Sequence, residues 1–150
     1  MEEDEYKSTY GTLTSVRCVF EKALTNHQAK CSLSRHFCLA DREGYSCKDV
    51  NSSLNCAELL VILRKKSAFV LKLHDVKGPL PHNMEIRVQA GGVKGLAKLI
   101  NADVAGVGVI DDINAVLNKV NDEFGCLGNL PYSEIIQSIE QFQGRRRRQR

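Results

Sequence analysis

The sequence contains no apolar run long enough to span a membrane. Its longest unbroken run of large apolar residues, Leu59 to Leu63, is followed at once by Arg64, Lys65 and Lys66, whereas a transmembrane helix needs about 20 mainly apolar residues. The first residues, MEEDEYKS, are acidic and precede no apolar stretch, so they do not resemble a secretory signal. We therefore expect an intracellular protein whose six cysteines are reduced and form no disulfide framework.

The sequence also lacks the short motifs by which many enzymes are recognised. It contains no nucleophile elbow, no metalloprotease histidine pair and no phosphate-binding P-loop. Catalysis by a cysteine requires a thiolate beside a base, and sequence alone cannot place any of the four histidines beside a thiol. We therefore predict no catalytic residues and expect a non-enzymatic protein.

The positive net charge comes from the end of the chain. Residues 2–5 are four consecutive acidic residues, whereas five of the last six residues are arginines. Without those five arginines the net charge of +3 would be −2. Such a basic run serves as a nuclear-import signal or a nucleic-acid patch, and it also occurs as a solvated tail. We predict a protein of the nucleus and cytoplasm. The candidate nucleic-acid contacts are Arg145, Arg146, Arg147, Arg148 and Arg150.

Length and patterning predict one domain with two flexible ends. A chain of 150 residues, of which 43% are hydrophobic, can build one substantial core. We assign residues 1–12 to an acidic leader, residues 13–143 to a single α/β domain, and residues 144–150 to a basic tail. The first predicted element is a helix that begins at Thr12 or Thr14 and ends near Asn26. A loop-rich segment over 27–55 with one short helix follows, then a strand or helical segment over 59–63, a second strand or helix start over 69–73, and a loop over 77–81. The last elements are a helix capped by Asp111 or Asp112 and stopped by Gly125, and a helix over 132–142.

The segment from Met84 to Ile110 is the centre of the predicted fold. Met84, Ile86 and Val88 alternate with polar residues, as in a half-buried strand. Helical spacing follows from Val93, and residues 104–110 form a short valine-rich run that is typical of a buried strand. The order strand, helix, strand predicts a right-handed βαβ unit with parallel strands.

A glycine-rich segment lies between the predicted strand and helix of this unit. At such a turn, free backbone amides and the helix dipole can hold an anion, and a neighbouring lysine adds charge. The candidate residues are Gly91, Gly92 and Lys94. A tight strand-to-helix turn without a ligand explains the same glycines.

Four potential metal ligands occur in the segment that lacks periodicity. Cys31, His36, Cys38 and Cys47 could together hold a zinc ion. Six residues separate Cys31 from Cys38, whereas compact zinc sites usually offer paired cysteines two to four residues apart. Buried or free thiols are the alternative, so zinc is kept as a possible cofactor and no other cofactor is predicted.

The order of several segments resembles the growth-arrest-and-DNA-damage-inducible protein family. The matching segments are Phe20 to Leu24, Leu59 to Leu63, Met84 to Val88, Gly95 to Ile100 and Asp103 to Ile110. The resemblance implies a three-layer α/β/α sandwich with a central mixed sheet, shared with a ribosomal-protein superfamily that includes kink-turn RNA binders. The family carries an acidic loop after its first strand, whereas here Arg64 to Lys66 are basic.

The resemblance also implies a function. It implies a non-enzymatic regulatory protein that binds protein partners in stress or cell-cycle signalling and dimerises through a helix face. One alternative is an RNA-binding protein of the same fold, which would use the glycine-rich turn and the arginine tail to contact phosphates. A small zinc-binding interaction module is the other alternative. No membrane partner is expected.

Overall fold

A computed structural model describes residues 16–40, 42–100 and 109–142 of the chain. Its elements are α1 (Glu21–Thr25), β1 (Ser34–Leu39), β2 (Arg42–Cys47), α2 (Val50–Ser67), α3 (His82–Leu99), α4 (Ile113–Phe124), a short 3₁₀ helix (Leu127–Asn129) and α5 (Tyr132–Gln141). The predicted acidic leader, most of the predicted strand over 104–110 and the arginine tail lie outside these residues. None of the described helices is both long and apolar enough to cross a membrane.

The segment that was predicted to be loop-rich forms a β-hairpin. β1 and β2 pair antiparallel, with Ser34 opposite Cys47, His36 opposite Tyr45, and Cys38 opposite Glu43. The prediction over 27–55 was wrong because these strands are rich in polar residues and are stabilised by contacts distant in sequence. The amide of Cys18 donates to the carbonyl of Tyr45 at 3.1 Å, which adds the preceding segment to the edge of β2.

Helix α2 replaces the strand predicted over 59–63. It begins after Asp49, whose carboxylate accepts a hydrogen bond from the amide of Ser52 at 3.3 Å, an ordinary N-cap. Its buried residues are Leu59, Leu60, Leu63 and Ser67. That spacing is helical, so the strand assignment was wrong and the helical alternative is confirmed. The candidate strand over 69–73 is also wrong, since residues 68–72 form turns.

Helix α3 occupies the place of the predicted βαβ unit. It runs unbroken from His82 to Leu99, directly after the predicted loop over 77–81, which is confirmed. The alternation of Met84, Ile86 and Val88 was misleading, because Glu85 is 2% exposed while Met84 and Ile86 are only half-buried. The strand over 84–88 and the turn over 91–95 were therefore wrong, and both are parts of one helix.

Glycines on α3 let another helix approach closely. A Cβ atom placed on Gly91 would lie 2.7 Å from the Cα of Ile139, and one placed on Gly95 would lie 3.0 Å from the Cα of Ile135. Both contacts are to the backbone of α5. The glycines therefore serve the packing of α3 against α5, because any larger residue would hold the two helices apart.

The predictions for α4 and α5 are confirmed. Asp112 caps α4 by accepting a hydrogen bond from the amide of Asn114 at 3.1 Å, and Gly125 ends it with a φ of +85°. α5 begins at Tyr132, as predicted, and buries Ile135 and Ile139.

One hydrophobic core joins all five helices around α3. The mixed helix and sheet content agrees with the predicted α/β class. The three-layer sandwich is not confirmed, because the described residues contain one two-stranded antiparallel sheet and an isolated parallel bridge between Ala29 and Ile110. Ile110 is the described end of the second predicted strand.

Candidate functional site

Four cysteines from separate parts of the chain line one small cavity. Cys18 precedes α1, Cys31 precedes β1, Cys47 ends β2, and Cys56 lies in the second turn of α2. The cavity has a volume of about 20 Å³, which is enough for a water molecule or a single ion. We call the cavity lined by Cys18, Cys31, Cys47 and Cys56 the four-cysteine cavity.

Backbone pairing with β2 brings Cys18 beside Cys47. The amide of Cys47 donates to the carbonyl of Val16 at 2.7 Å, and Arg17 forms a bridge with Ser46. The Cys47 thiol then donates to the carbonyl of Asp49 at 3.2 Å, immediately before α2. These contacts fix one side of the cavity to the start of that helix.

A second set of backbone contacts holds Cys31 against the start of α4. The amide of Lys30 donates to the carbonyl of Ile110 at 2.8 Å, and the amide of Ile113 donates to the carbonyl of Lys30 at 2.8 Å. On the other side of Cys31, the amide of Ser32 donates to the Asp112 carboxylate at 2.9 Å. Cys31 is therefore fixed on both sides by residues that are distant in sequence.

Burial controls the ionisation of these thiols. It raises the pKa of Cys18 and of Cys56 to about 12, and it raises the pKa of Cys31. Every pair among the four cysteines is close enough to interact electrostatically. Thiols with such raised pKa values are protonated at neutral pH, so Cys18 and Cys56 are poor nucleophiles as they stand.

Among the described residues, the remaining wall of the cavity carries no ionisable side chain. Its other lining residues are apolar or neutral: Val19, Phe20, Leu33, Ser34, Ser52, Ser53, Ile113 and Asn114. Backbone amides do point at sulfur. The pKa of Cys18 is lowered by a hydrogen bond from the amide of Phe20, and that of Cys31 by the amides of Leu33 and Asn114, although burial outweighs these effects. Any charge that would balance thiolates here has to come from a ligand.

The structure separates the four zinc ligands predicted from the sequence. Cys31 and Cys47 line the cavity, but His36 and Cys38 are exposed on the hairpin, where His36 Nε2 lies 2.9 Å from the Glu43 carboxylate. Cys38 lies four residues beyond Ser34 along β1, a distance of about 13 Å. The predicted set was therefore wrong. In the described ranges, no group of three or more histidine, cysteine, aspartate and glutamate side chains is arranged to hold a metal ion.

No sequence pattern indicates that Cys18 and Cys56 belong to the same site. Cys18 lies in the predicted first helix and Cys56 beside a predicted strand, and neither has a cysteine two to four residues away. The hairpin and the bridge at Ile110 bring them together with Cys31 and Cys47. Recognising this site required the tertiary structure.

The predicted anion site at the glycine turn is also wrong. Gly91 and Gly92 are buried inside α3, where backbone amides are occupied by helical hydrogen bonds. The amine of Lys94 donates to Oε1 of Gln28 at 2.6 Å and lies 4.8 Å from the centre of the Phe142 ring. Lys94 therefore joins α3 to neighbouring segments. The five arginines of the tail lie outside the described residues and remain a prediction.

No protein-family model, curated protein or solved structure matches this chain. Function is therefore inferred from the contacts, burial and charge of the described residues.

An exposed apolar surface on α2 is the second candidate for binding. Val50, Leu54 and Val61 are 56%, 65% and 45% exposed, and Phe69, in the turn after the helix, is 91% exposed. On a helix with 3.6 residues per turn, positions 50, 54 and 61 fall within about 40° of one another. Glu58 and Lys65 are exposed on the same side of the helix. We call this surface, comprising Val50, Leu54, Glu58, Val61, Lys65 and Phe69, the α2 face.

Proposed function

We propose that this chain is a non-enzymatic regulatory protein that binds protein partners through the α2 face. The observation that carries the proposal is the row of large apolar side chains exposed on α2, ending at Phe69, which is 91% exposed. Isolated apolar residues are normal on a surface, but several on one side of a helix, with charged residues between them, are typical of a binding surface. Covering such a side chain contributes about 1.5–3 kcal/mol.

The first partner that we propose is a second copy of the chain. In an antiparallel pair of α2 helices related by a two-fold axis near Val61, Glu58 of each copy faces Lys65 of the other. Leu54 and Phe69 are equally far in sequence from the same axis, so Leu54 of each copy would meet Phe69 of the other. Such a two-fold interface would be self-complementary in charge.

The cellular role in this proposal follows the family resemblance. We propose further partners in stress or cell-cycle signalling, and a location in nucleus and cytoplasm. Two segments that carried the resemblance, Leu59 to Leu63 and Met84 to Val88, are helical rather than extended. The resemblance therefore stays a prediction, and the α2 face supports the protein-binding role without it.

The dimer is tested by sedimentation velocity over a range of protein concentrations. Leu54→Glu places a carboxylate in the centre of the α2 face and is expected to shift the equilibrium toward monomer by at least about tenfold. The matched control is Ala115→Glu, which places the same charge on an exposed position of α4 and should leave the equilibrium unchanged. Circular dichroism checks that both variants remain folded.

A charge exchange tests the orientation of the two copies. Glu58→Lys alone places two lysines opposite each other and should weaken the dimer, whereas adding Lys65→Glu to the same chain should restore it, because the opposite charges meet again. A parent chain that stays monomeric at all concentrations would contradict the dimer. Weakening by Glu58→Lys without recovery in the double variant would contradict the antiparallel arrangement.

The RNA-binding alternative now depends on the arginine tail, because the glycine-rich segment and Lys94 lie inside the folded structure. A gel shift with structured RNA compares the full chain with a chain ending at Gln143, each at low and moderate salt. Binding that is lost when the tail is removed and that weakens steeply as the salt concentration rises would come from attraction between the arginines and the RNA phosphates. Tight binding that survives removal of the tail would favour the RNA-binding function over the protein-binding one.

A further inference from the structure

We infer that the four-cysteine cavity binds one zinc ion through the sulfur atoms of Cys18, Cys31, Cys47 and Cys56. This site shares two cysteines with the set predicted from the sequence and replaces His36 and Cys38 with Cys18 and Cys56. It is independent of the α2 face, so it stands whether or not the chain dimerises.

The number and type of the side chains match a structural zinc site. Four cysteines are a common ligand set for Zn²⁺, which takes a tetrahedral arrangement with sulfur about 2.3 Å from the metal. Here the four cysteines come from four separate segments and line the same cavity. Cysteines that act only as small buried residues have no need to share one cavity.

The size of the cavity favours a single ion. A free volume of about 20 Å³ accommodates one cation, whereas an iron–sulfur cluster contains several iron and sulfide atoms. Phe20 and Ile113 in the cavity wall are almost fully buried.

Backbone amides lie near two of these thiols. The amides of Phe20 and Leu33 follow Cys18 and Cys31 by two residues, and each lowers the pKa of its thiol, although burial raises both pKa values by more. A further amide, from Asn114 at the start of α4, reaches Cys31. Hydrogen bonds of this kind orient metal-bound cysteines and spread the negative charge of the thiolates.

Charge balance explains why a cation is needed. When Zn²⁺ binds, four S–H bonds break, four protons pass to the solvent, and four sulfur–zinc bonds form, which leaves a net charge of −2 on the site. The amides described above and the positive ends of the α2 and α4 dipoles stabilise that charge. Four thiolates without the metal would have no cationic side chain among the lining residues to offset them.

Binding requires the cysteine side chains to turn toward one point. The thiols as described are not gathered at metal-binding distance, and the Cys47 thiol is bonded to the carbonyl of Asp49. A cysteine side chain has one torsion with staggered positions, so rotation about its Cα–Cβ bond turns the sulfur without moving the backbone. The bound ion would then join the segment before α1, the hairpin and α2 at one point.

The test is a metal titration of the full reduced chain after treatment with a chelator. Co²⁺ is added first, because sulfur ligands give it strong charge-transfer and tetrahedral d–d absorption bands, and Zn²⁺ is then added to displace it. We expect one Co²⁺ and one Zn²⁺ per chain. Cys18→Ser and Cys56→Ser should each weaken binding at least about tenfold.

Two exposed cysteines supply the matched controls. Cys38→Ser and Cys126→Ser change thiols that lie outside the cavity and should leave the stoichiometry and the absorption bands unchanged. Loss of binding in Cys38→Ser, or absence of the cobalt bands in the parent chain, would overturn the proposal. So would iron and inorganic sulfide in the purified protein, because a cluster would then occupy the site.

A thiol-protection measurement covers the case in which a cavity variant does not fold. The unmodified chain is treated with a thiol reagent before and after addition of Zn²⁺. Because Cys38 and Cys126 are exposed, they should react equally fast in both conditions, whereas the reaction of the other four should slow with Zn²⁺. Mass mapping that shows equal slowing at all positions, or at none, would contradict the site.

Discussion

The side chain of Arg64 on α2 meets that of Glu85 on α3, with Nε of the arginine 2.6 Å from the carboxylate. Glu85 is 2% exposed, and its other hydrogen-bond donors are the amide of Leu80, at 3.1 Å, and the side chain of Gln89, at 2.9 Å. A buried carboxylate with this set of donors is fully paired. The pair fixes the position of α2 relative to α3.

Removing the arginine should destabilise the protein strongly. Arg64→Met keeps the length of the side chain but leaves the Glu85 carboxylate buried without its cation, which should lower the free energy of unfolding by about 3 kcal/mol. The matched control is Lys98→Met, at an exposed position near the end of α3, which should change it by less than about 0.5 kcal/mol. Urea unfolding measures both, and equal effects would contradict a role for the pair.

The same pair predicts a dependence on acid pH. Burial by itself would raise the pKa of Glu85, but hydrogen bonds from Arg64, Leu80 and Gln89 outweigh it and hold the pKa below its ordinary value of 4.5. A group with a lowered pKa in the folded state stabilises that state above its unfolded pKa and loses this contribution as the pH falls through the folded pKa. Stability should therefore begin to decline below about pH 5.

Glu85→Gln isolates this contribution, because the amide cannot ionise. The variant should be less stable than the parent at neutral pH, and the difference should shrink as the pH falls. Urea unfolding at several pH values from about 7 to about 3 measures the trend. A constant difference over the whole range would show that the charge of Glu85 does not stabilise the fold.

Alanine substitutions at two glycines of α3 should distinguish the contribution of helix packing to stability from that of helix propensity. Alanine favours a helix interior over glycine by about 1 kcal/mol, but a Cβ on Gly91 would lie 2.7 Å from the Cα of Ile139. Because that backbone cannot move aside alone, Gly91→Ala should destabilise the protein by about 2 kcal/mol.

Gly92→Ala is the comparison for that variant. Its Cβ would meet Cδ1 of Leu63 at 2.7 Å, which is the end of a side chain that can rotate, so the cost should be offset by the gain in propensity to within about 1 kcal/mol. Thermal and urea unfolding measure both variants. A Gly91→Ala protein as stable as the parent would show that α3 and α5 have room to separate.

Replacing Asp112 should reduce stability and Zn²⁺ binding far more than replacing the neighbouring Asp111. Its carboxylate caps α4 and also holds the segment that carries Cys31, through the amide of Ser32. Asp112→Ala should cost about 1–2 kcal/mol and should also weaken Zn²⁺ binding, whereas Asp111→Ala, an exposed change one residue earlier, should do neither. Unfolding curves and the metal titration report the two effects separately, and equal behaviour of the two variants would remove Asp112 from both roles.

The elements that were correctly predicted are those fixed by neighbouring residues. Asp112 and Gly125 delimit α4 through local capping, and the apolar spacing of Ile135 and Ile139 is clear within α5 itself. Gly78 and the two prolines beside it mark a loop for equally local reasons. The structures that these local patterns predict are present in the folded chain because no tertiary contact opposes them.

The elements that were wrongly predicted depend on distant partners. Glu85 interrupts the apolar stripe of α3 in sequence, and it is the pairing with Arg64 that allows a carboxylate to be buried there. Gly91 and Gly95 resemble a turn until the backbone of α5 is placed against them. Cys18 and Cys56 share a cavity through strand pairing that no spacing of cysteines reveals.

The parallel bridge between Ala29 and Ile110 also bears on the kinetics of folding. The residues it joins enclose more than half of the chain, so forming it requires closure of a long loop, which is entropically costly and slow compared with the growth of a helix. Lys30 and Ile113, beside Cys31 and Asn114, are held by the hydrogen bonds at this bridge. We therefore expect the cavity to be completed late in folding, so that during refolding the capture of a metal ion by all four sulfur atoms would report a late step.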